Sequence, residues 1–422
     1  MSAQLKPGYK QTDVGIIPEE WDVQSLFKVA EIRGGIAKNS NISAIDPISV
    51  HYLRVANVQD GFLDLSEMSK IQLSRHDLAR FTVLPGDVLM NEGGDLDKLG
   101  RGAIWRGEFK PCVHQNHVFV VRCKTALLPD YLNVWTTTSS ARRFFLLAGK
   151  QTTNLASISK SALSELPVAV PPLPEQRAIA AALSDMDALI NGLDQLIAKK
   201  RDLKQAAMQQ LLTGQTRLPG FSGKWEMKRL GEVADVKTGP FGSTLHESDY
   251  VQDGTPIITV EHLGEFGVEH FNLPLVSDAD RRRLQTYSLA EGDIVFSRVG
   301  SVDRNALICP AEVGWLFSGR LLRVRPDRHQ AYAPFLSFQF HSESFKALIR
   351  SIAVGQTMAS LNTQILKGVY VTLPALSEQT AIAAVLSDMD TDLAALETRR
   401  DKTRDLKQGM MQELLTGRIR LA

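Results

Sequence analysis

"AIAAALSDMD" occupies Ala178–Asp187, and "AIAAVLSDMD" occupies Ala381–Asp390, 203 positions further on. Both lie inside a longer repeat. Laid out at that offset without a gap, Pro174–Leu218 falls on Ser377–Leu421, and more than half of the pairs are identical. "RDLKQ" at Arg201 returns at Arg404, and "LLTG" at Leu211 returns at Leu414. Apolar residues step by four and three in each copy. The first has Ile179, Leu183, Met186, Ile190, Leu193 and Ile197. The second has Ile382, Leu386, Met389, Leu393 and Leu396, and Met410 and Leu414 resume the phase. This is the heptad spacing of a coiled-coil seam. Pro171, Pro172 and Pro174 precede the first stripe and Pro374 the second, while Gly214 and Gly417 stand where a C-terminal cap belongs. The pattern predicts two helices of roughly 38 residues, about 57 Å long at 1.5 Å per residue. Two matching apolar stripes are better buried on each other than on separate domains. Lys199, Lys200, Arg201, Arg399, Arg400, Lys402 and Arg404 then form a solvated face.

Outside the helices the similarity continues cyclically. "KWEMKRLGEVADVKTG" at Lys224 follows the first copy, and its relative "EWDVQSLFKVAEIRGG" at Glu20 stands near the start of the chain. "LPGDVLM" at Leu84 resembles "AEGDIVF" at Ala290, "HVFVVR" at His117 aligns with "RLLRVR" at Arg320, and "GKQTTN" at Gly149 resembles "GQTMAS" at Gly355. A period near 203 is far too long for a solenoid. The chain is a duplicated two-part module, predicted to divide into a globule at 1–172, a helix at 173–215, a second globule at 216–375 and a second helix at 376–422. The globules are rich in short β-like runs separated by Gly-Asp, Pro-Gly and Gly-Gly turns, each with a shorter helical stretch. The fold class expected is α+β, two globules joined by two long antiparallel coiled-coil helices with a pseudo-twofold internal repeat. Antiparallel pairing is predicted because domain termini usually lie close together. Parallel helices would force the second globule to bridge about 57 Å. The cyclic repeat further predicts Glu20–Gly35 beside the end of the second helix and Lys224–Gly239 beside the end of the first.

Composition adds limits. The chain has 422 residues, too many for one core, and a formal charge of only +1. It does not have the strongly basic balance of many nucleic-acid binders. No apolar run reaches the roughly 18 residues of a membrane span, and the polar "MSAQLKPGYKQTD" lacks a signal-peptide core. Cys112, Cys123 and Cys309 are odd in number and scattered, which fits a reducing compartment, the cytoplasm.

No catalytic motif stands out. There is no Gly-x4-Gly-Lys-Ser/Thr phosphate loop, no Gly-x-Gly-x-x-Gly cofactor turn, no Asn/Asp-Pro-Pro-aromatic stretch and no Gly-x-Ser-x-Gly elbow. Cys112, His114, His117 and Cys123 have zinc-ligand chemistry, but strand alternation points some of them apart, and no metal site is expected. The recurring pairs Gly86-Asp87 and Gly292-Asp293 read as turns. Polar, sparsely basic loops remain, with the side chains that contact phosphates and base edges. In the first globule the candidate DNA contacts are Arg33, Lys38, Asn91, Lys98, Arg101, Lys150, Gln151 and Thr152. In the second they are Lys237, Ser243, Ser297, Arg298, Arg304, Arg320, Gln356 and Thr357.

Two variable globules and two near-identical helices, opened by "PPLPEQRAIAAALSDMD" and "PALSEQTAIAAVLSDMD" and closed by "LLTG", resemble the DNA-specificity subunit of type I restriction–modification systems. "YKQTDVGIIPEEW" from Tyr9 resembles how such subunits often begin, so the similarity runs from about Tyr9 to Gly417. The resemblance implies two target-recognition domains, each reading one half of a bipartite, asymmetric site in double-stranded DNA. It implies helices that act as spacers and dock two methyltransferase subunits, which carry S-adenosylmethionine and methylate adenine. Two motor-nuclease subunits, dependent on ATP and Mg, complete the restriction enzyme. This chain would then be a non-catalytic subunit binding no cofactor of its own and no membrane. The alternatives are a coiled-coil scaffold that binds proteins without DNA specificity, and a self-sufficient nuclease or methyltransferase, which the missing cofactor loops oppose.

Overall fold

In the computed structural model both long helices form, at Leu173–Leu211 and Leu376–Leu414, 39 residues each. The structure describes residues 6–37, 47–94, 99–151, 156–240, 245–264, 267–355 and 359–421. Contacts divide the chain into two units, Met1–Asp194 with Arg399–Ala422, and Gln195–Thr398. Each unit thus combines one globule with a portion of both helices, whereas the sequence suggested four consecutive segments.

The first unit is built on a four-stranded antiparallel sheet, in the order Ala30–Arg33, Val118–Cys123, Val88–Asn91, Gly102–Ile104. Side chains alternate across a strand, and here both faces are covered. Phe119, Val121, Val88 and Met90 enter the large core that also holds Ile179, Leu183, Leu414 and Leu415 of the long helices. Val118, Val120 and Leu89 enter a second core with Leu53, Val58 and Trp105. That is why "HVFVVR" reads as an unbroken apolar run. A second sheet, Cys112–His114, Ile48–Leu53, Ser69–Leu73, lies beyond.

The second unit repeats the scheme. Its main sheet runs Ala234–Thr238, Leu321–Pro326, Ile294–Ser297, Asn305–Leu307. Ile294, Phe296, Leu322 and Val324 face the core containing Leu211, Leu212, Ile382 and Leu386, while Val295 and Leu321 face the other core. In each unit one further strand pair ties the globule's entry to its exit. These pairs are Asp22–Ser25 with Pro167–Val170, and Glu226–Arg229 with Tyr370–Leu373.

Within each unit the helices run antiparallel. In the first, Asp187 pairs with Lys407 at 2.5 Å and Asp194 with Arg404 at 2.9 Å. In the second, Lys204 pairs with Asp390, Lys200 with Asp392 at 3.0 Å and Arg201 with Glu397. Numbers rise on one helix as they fall on the other. Asp187 and Asp390, and Asp194 and Glu397, are related by the same 203 residues as the sequence repeat. The face expected to be merely solvated therefore carries the cross-helix ion pairs. Of the predicted seam, Ile179, Leu183, Leu193, Ile382, Leu386, Leu393 and Leu414 are buried, as is Ile197. Met186, Ile190, Met389, Leu396 and Met410 are half-buried. Full burial of one such side chain contributes roughly 1.5–3 kcal/mol, and an exposed ion pair about 0–1 kcal/mol. The seam decides stability, and the charges favour the register.

Candidate nucleic-acid interface

The Glu-Gln pair that opens each long helix joins it to its globule. Gln176 is wholly buried. Its amide donates to the carbonyls of Ala126 and Pro171 at 2.9 and 2.8 Å, and its Oε1 accepts from the Leu128 N–H at 2.9 Å. Gln379 does the same in the second unit, donating to Gln330 and Pro374 and accepting from Tyr332. Residues 128 and 332 precede the short helices Pro129–Trp135 and Ala333–His341, so one side chain fixes where each begins.

The neighbouring glutamates receive the irregular segment that leaves the opposite helix. Buried Glu175 accepts from Trp21 Nε1 at 2.9 Å and from the Arg420 guanidinium. Buried Glu378 accepts both arms of Arg217. Arg217 and Arg420 are themselves 203 residues apart, a signal the repeat carried without revealing its purpose. Gly214 and Gly417 cap their helices at φ of +71° and +66°. A Cβ at Gly417 would come within 2.4 Å of the Pro18 ring, and one at Gly214 within 3.3 Å of the Trp225 ring. Tyr9 also donates to the Gly417 carbonyl at 2.9 Å. Trp21 stands beside Gly417 as Trp225 stands beside Gly214, so the starts of Glu20–Gly35 and Lys224–Gly239 lie against the ends of the second and first helices, as the cyclic repeat predicted.

The Gly-Asp turns are the second repeated device. Gly86 and Gly292 adopt φ of +92° and +83°, where a side chain is disfavoured. Asp87 accepts from the Leu84 N–H and from both arms of Arg122 at 2.7 Å. Asp293 accepts from the Ala290 N–H at 2.8 Å and from both arms of Arg325 at 2.6 Å. Both carboxylates are buried, so each turn is locked to the central strand.

These devices support loops of unlike sequence, which carry the candidate contacts. Lys150, Gln151 and Arg320 are exposed. Arg33 is partly exposed and forms a forked pair with Glu31 at 2.9 Å, which holds the Glu31 carboxyl below its ordinary range. Arg101 is half-buried, and its Nε has no partner among the described residues. Lys237 is committed elsewhere, donating to the Thr286 carbonyl at 2.8 Å with its ammonium 4.4 Å from the centre of the Tyr287 ring. Arg298 donates to the carbonyls of Leu361 and Gly319 at 3.3 Å, and Arg304 to that of Leu263, so both brace loops from within. Asn91 and Ser297 require correction. Both are buried at the ends of central strands, Asn91 donating to the Val58 carbonyl at 2.8 Å and Ser297 to that of Val299 at 3.0 Å. They hold loops in place and do not face solvent, because the strand extends further than its polar end suggested. Lys38, Lys98, Thr152, Ser243, Gln356 and Thr357 lie outside the described residues.

The cysteine–histidine set does not converge. Among the described residues no group of three or more His, Cys, Asp or Glu has metal-holding geometry. His114 is buried with Nδ1 2.6 Å from the Val118 carbonyl, which fixes the tautomer carrying the proton on Nδ1. Desolvation pushes its pKa down to about 4 and those of Cys112 and Cys123 up to about 12. His117 instead points out to Glu92 at 2.9 Å.

A family model described as type I restriction modification DNA specificity domain matches residues 18–199 and again 222–403. The chain is similar to a putative type I restriction enzyme MjaX specificity subunit of Methanocaldococcus jannaschii, 26% identical over 98% of this chain and 97% of that protein. Among solved structures it resembles a chain from work on complex assembly and conformational transition of the type I restriction–modification system. That match is 17% identical with a TM-score of 0.61, covering 96% of this chain and 99% of the other. It also resembles the specificity subunit of such a system from M. genitalium, 14% identical with a TM-score of 0.57, covering 98% of each chain.

Proposed function

Because this chain belongs to the type I restriction–modification DNA-specificity family, we propose that each of its globules reads one half of a bipartite DNA site and that the long helices set the gap between the halves. The observation that carries this reading is a scaffold built twice under different loops. Sheet order, the Asp–Arg turn lock and the Gln joint recur in both units. The loops they support differ, as two readers of different sequence require. Dimeric DNA-binding proteins place identical readers on half-sites about 34–36 Å apart and so favour palindromes. A single chain with two unlike readers removes that restriction, and its target is non-palindromic.

The chain's contribution is recognition and positioning. The helices dock two methyltransferase subunits that carry S-adenosylmethionine and methylate adenine, and two motor-nuclease subunits using ATP and Mg join for cleavage. As a recognition subunit it leaves the chemistry to those partners, and its odd, scattered cysteines fit a reducing, cytoplasmic compartment. Mobility shift on duplex DNA, with and without the methyltransferase, combined with mapping of methylated adenines, tests the reading. A two-part motif with a fixed gap is expected. An assembled complex that retains no duplex and yields no motif would leave the protein-binding scaffold as the better account.

A further inference from the structure

On the reading that this chain binds duplex DNA, we propose that Arg281 and Arg282 of the second unit grip the phosphate backbone beside the half-site which that unit reads. They lie on the short helix Asp278–Arg283, sequence "DADRRR". Ser277 caps it, its hydroxyl accepting from the Asp280 N–H at 3.1 Å. Two acids in the first turn and three bases in the last suit the helix dipole, which explains why so short a segment is helical. Arg283 is explained too, since it pairs with Asp280 at 2.7 Å. Arg281 and Arg282 are not. Both are exposed, and neither has an ion pair or a side-chain hydrogen bond among the described residues.

The first unit shows what the fold itself needs at this place. Its helix Arg75–Phe81 opens with the same cap, Ser74 accepting from the Asp77 N–H at 3.0 Å. At the offset of 203, however, Leu78 and Ala79 stand where the second unit has Arg281 and Arg282. The cap recurs because the helix requires it, and an arginine recurs as Arg80 and Arg283, whereas the charges of Arg281 and Arg282 have no counterpart at the matching positions of the first unit. Successive helical residues point about 100° apart, so the three guanidinium groups fan outward. With Arg283 paired to Asp280, the charges of Arg281 and Arg282 are left to solvent or to an arriving anion.

Their platform is fixed. Lys237 braces the turn directly after the arginines through the Thr286 carbonyl, and Tyr287 packs edge-on against Phe317 with ring centres 6.1 Å apart. Lys237 is thus a positioning residue for this patch. A guanidinium matches a phosphate with two parallel hydrogen bonds, and duplex DNA offers one negative charge per about 1.7 Å of axis. Such contacts add affinity and fix orientation without reading bases.

The test measures binding of the mapped target duplex by the full chain, assembled with its methyltransferase partner, between 50 and 200 mM salt. Each lost phosphate contact lowers the slope of log affinity against log salt by about 0.9. Arg281→Gln with Arg282→Gln should therefore flatten it by about 1.8, so that the variant's relative deficit shrinks roughly tenfold across the range. Preference among altered targets should be unchanged, and Arg281→Lys with Arg282→Lys should retain most of the slope. Arg328→Gln, removing an exposed charge elsewhere in the unit, is the control. An unchanged slope in the double Gln variant, or an equal loss in the control, overturns the proposal while leaving the DNA-specificity reading intact. Failure of the unaltered complex to bind the duplex overturns both.

Discussion

Replacing Gln176 by alanine removes three hydrogen bonds at once and strands the N–H of Leu128 and the carbonyls of Ala126 and Pro171 beside a wholly buried site. A buried unpaired group costs about 1–3 kcal/mol, so a loss of about 3 kcal/mol is expected in denaturant unfolding, and the same for Gln379→Ala. A loss below about 1 kcal/mol would show that the joint is dispensable. His114 supplies a pH dependence. Burial lowers its folded pKa to about 4 from 6.5, so the unfolded chain binds the extra proton first. Its contribution is complete above about pH 6.5 and fades as pH falls towards 4, by up to roughly 3 kcal/mol. Unfolding at pH 7 and pH 5 should therefore differ less in His114→Gln than in the unaltered chain. Equal differences would place the acid sensitivity elsewhere. Neither role could be read from sequence. The Glu-Gln pair was visible as part of a repeat, but apart from a prolyl carbonyl five residues back the amide's partners lie 47 to 50 residues away, and the Arg420 guanidinium that Glu175 accepts lies 245 away.

At the scale of elements, the long helices were the most legible part. Heptad spacing depends only on neighbours three and four residues apart, so "AIAAALSDMD" exposes it directly. Direction needed a further argument from chain closure, and the pairings Asp187–Lys407 and Lys204–Asp390 agree with it. If the helices serve as a ruler, inserting four residues, about one turn and about 6 Å, into one of them should change the accepted gap and leave both half-sites as they were. Methylation mapping checks this, and altered half-sites with an unaltered gap would exclude the ruler. The short strands were legible as apolar runs but not in their pairing. The register that sets Val118–Cys123 between Ala30–Arg33 and Val88–Asn91 joins segments distant in sequence. For the same reason the polar ends Asn91 and Ser297 looked like loop and proved to be buried strand.

For the whole molecule, separate readers predict that exchanging 218–372 for the corresponding unit of another family member changes one half of the mapped target only. A chimera that keeps the original target, or changes both halves, would contradict two independent readers. The strands Glu226–Arg229 and Tyr370–Leu373 pair the globule's entry with its exit, so such an exchange should carry both together. By itself the sequence determined duplication, the helical rods and the division into repeated and variable parts, because these are recorded in local periodicity and in identity at a fixed offset. Only the tertiary structure decided which polar residues are joints, locks and buried strand ends and which remain free at the surface. Burial and hydrogen-bond partners are properties of contacts between distant segments, and a chain of letters does not specify those until it has folded.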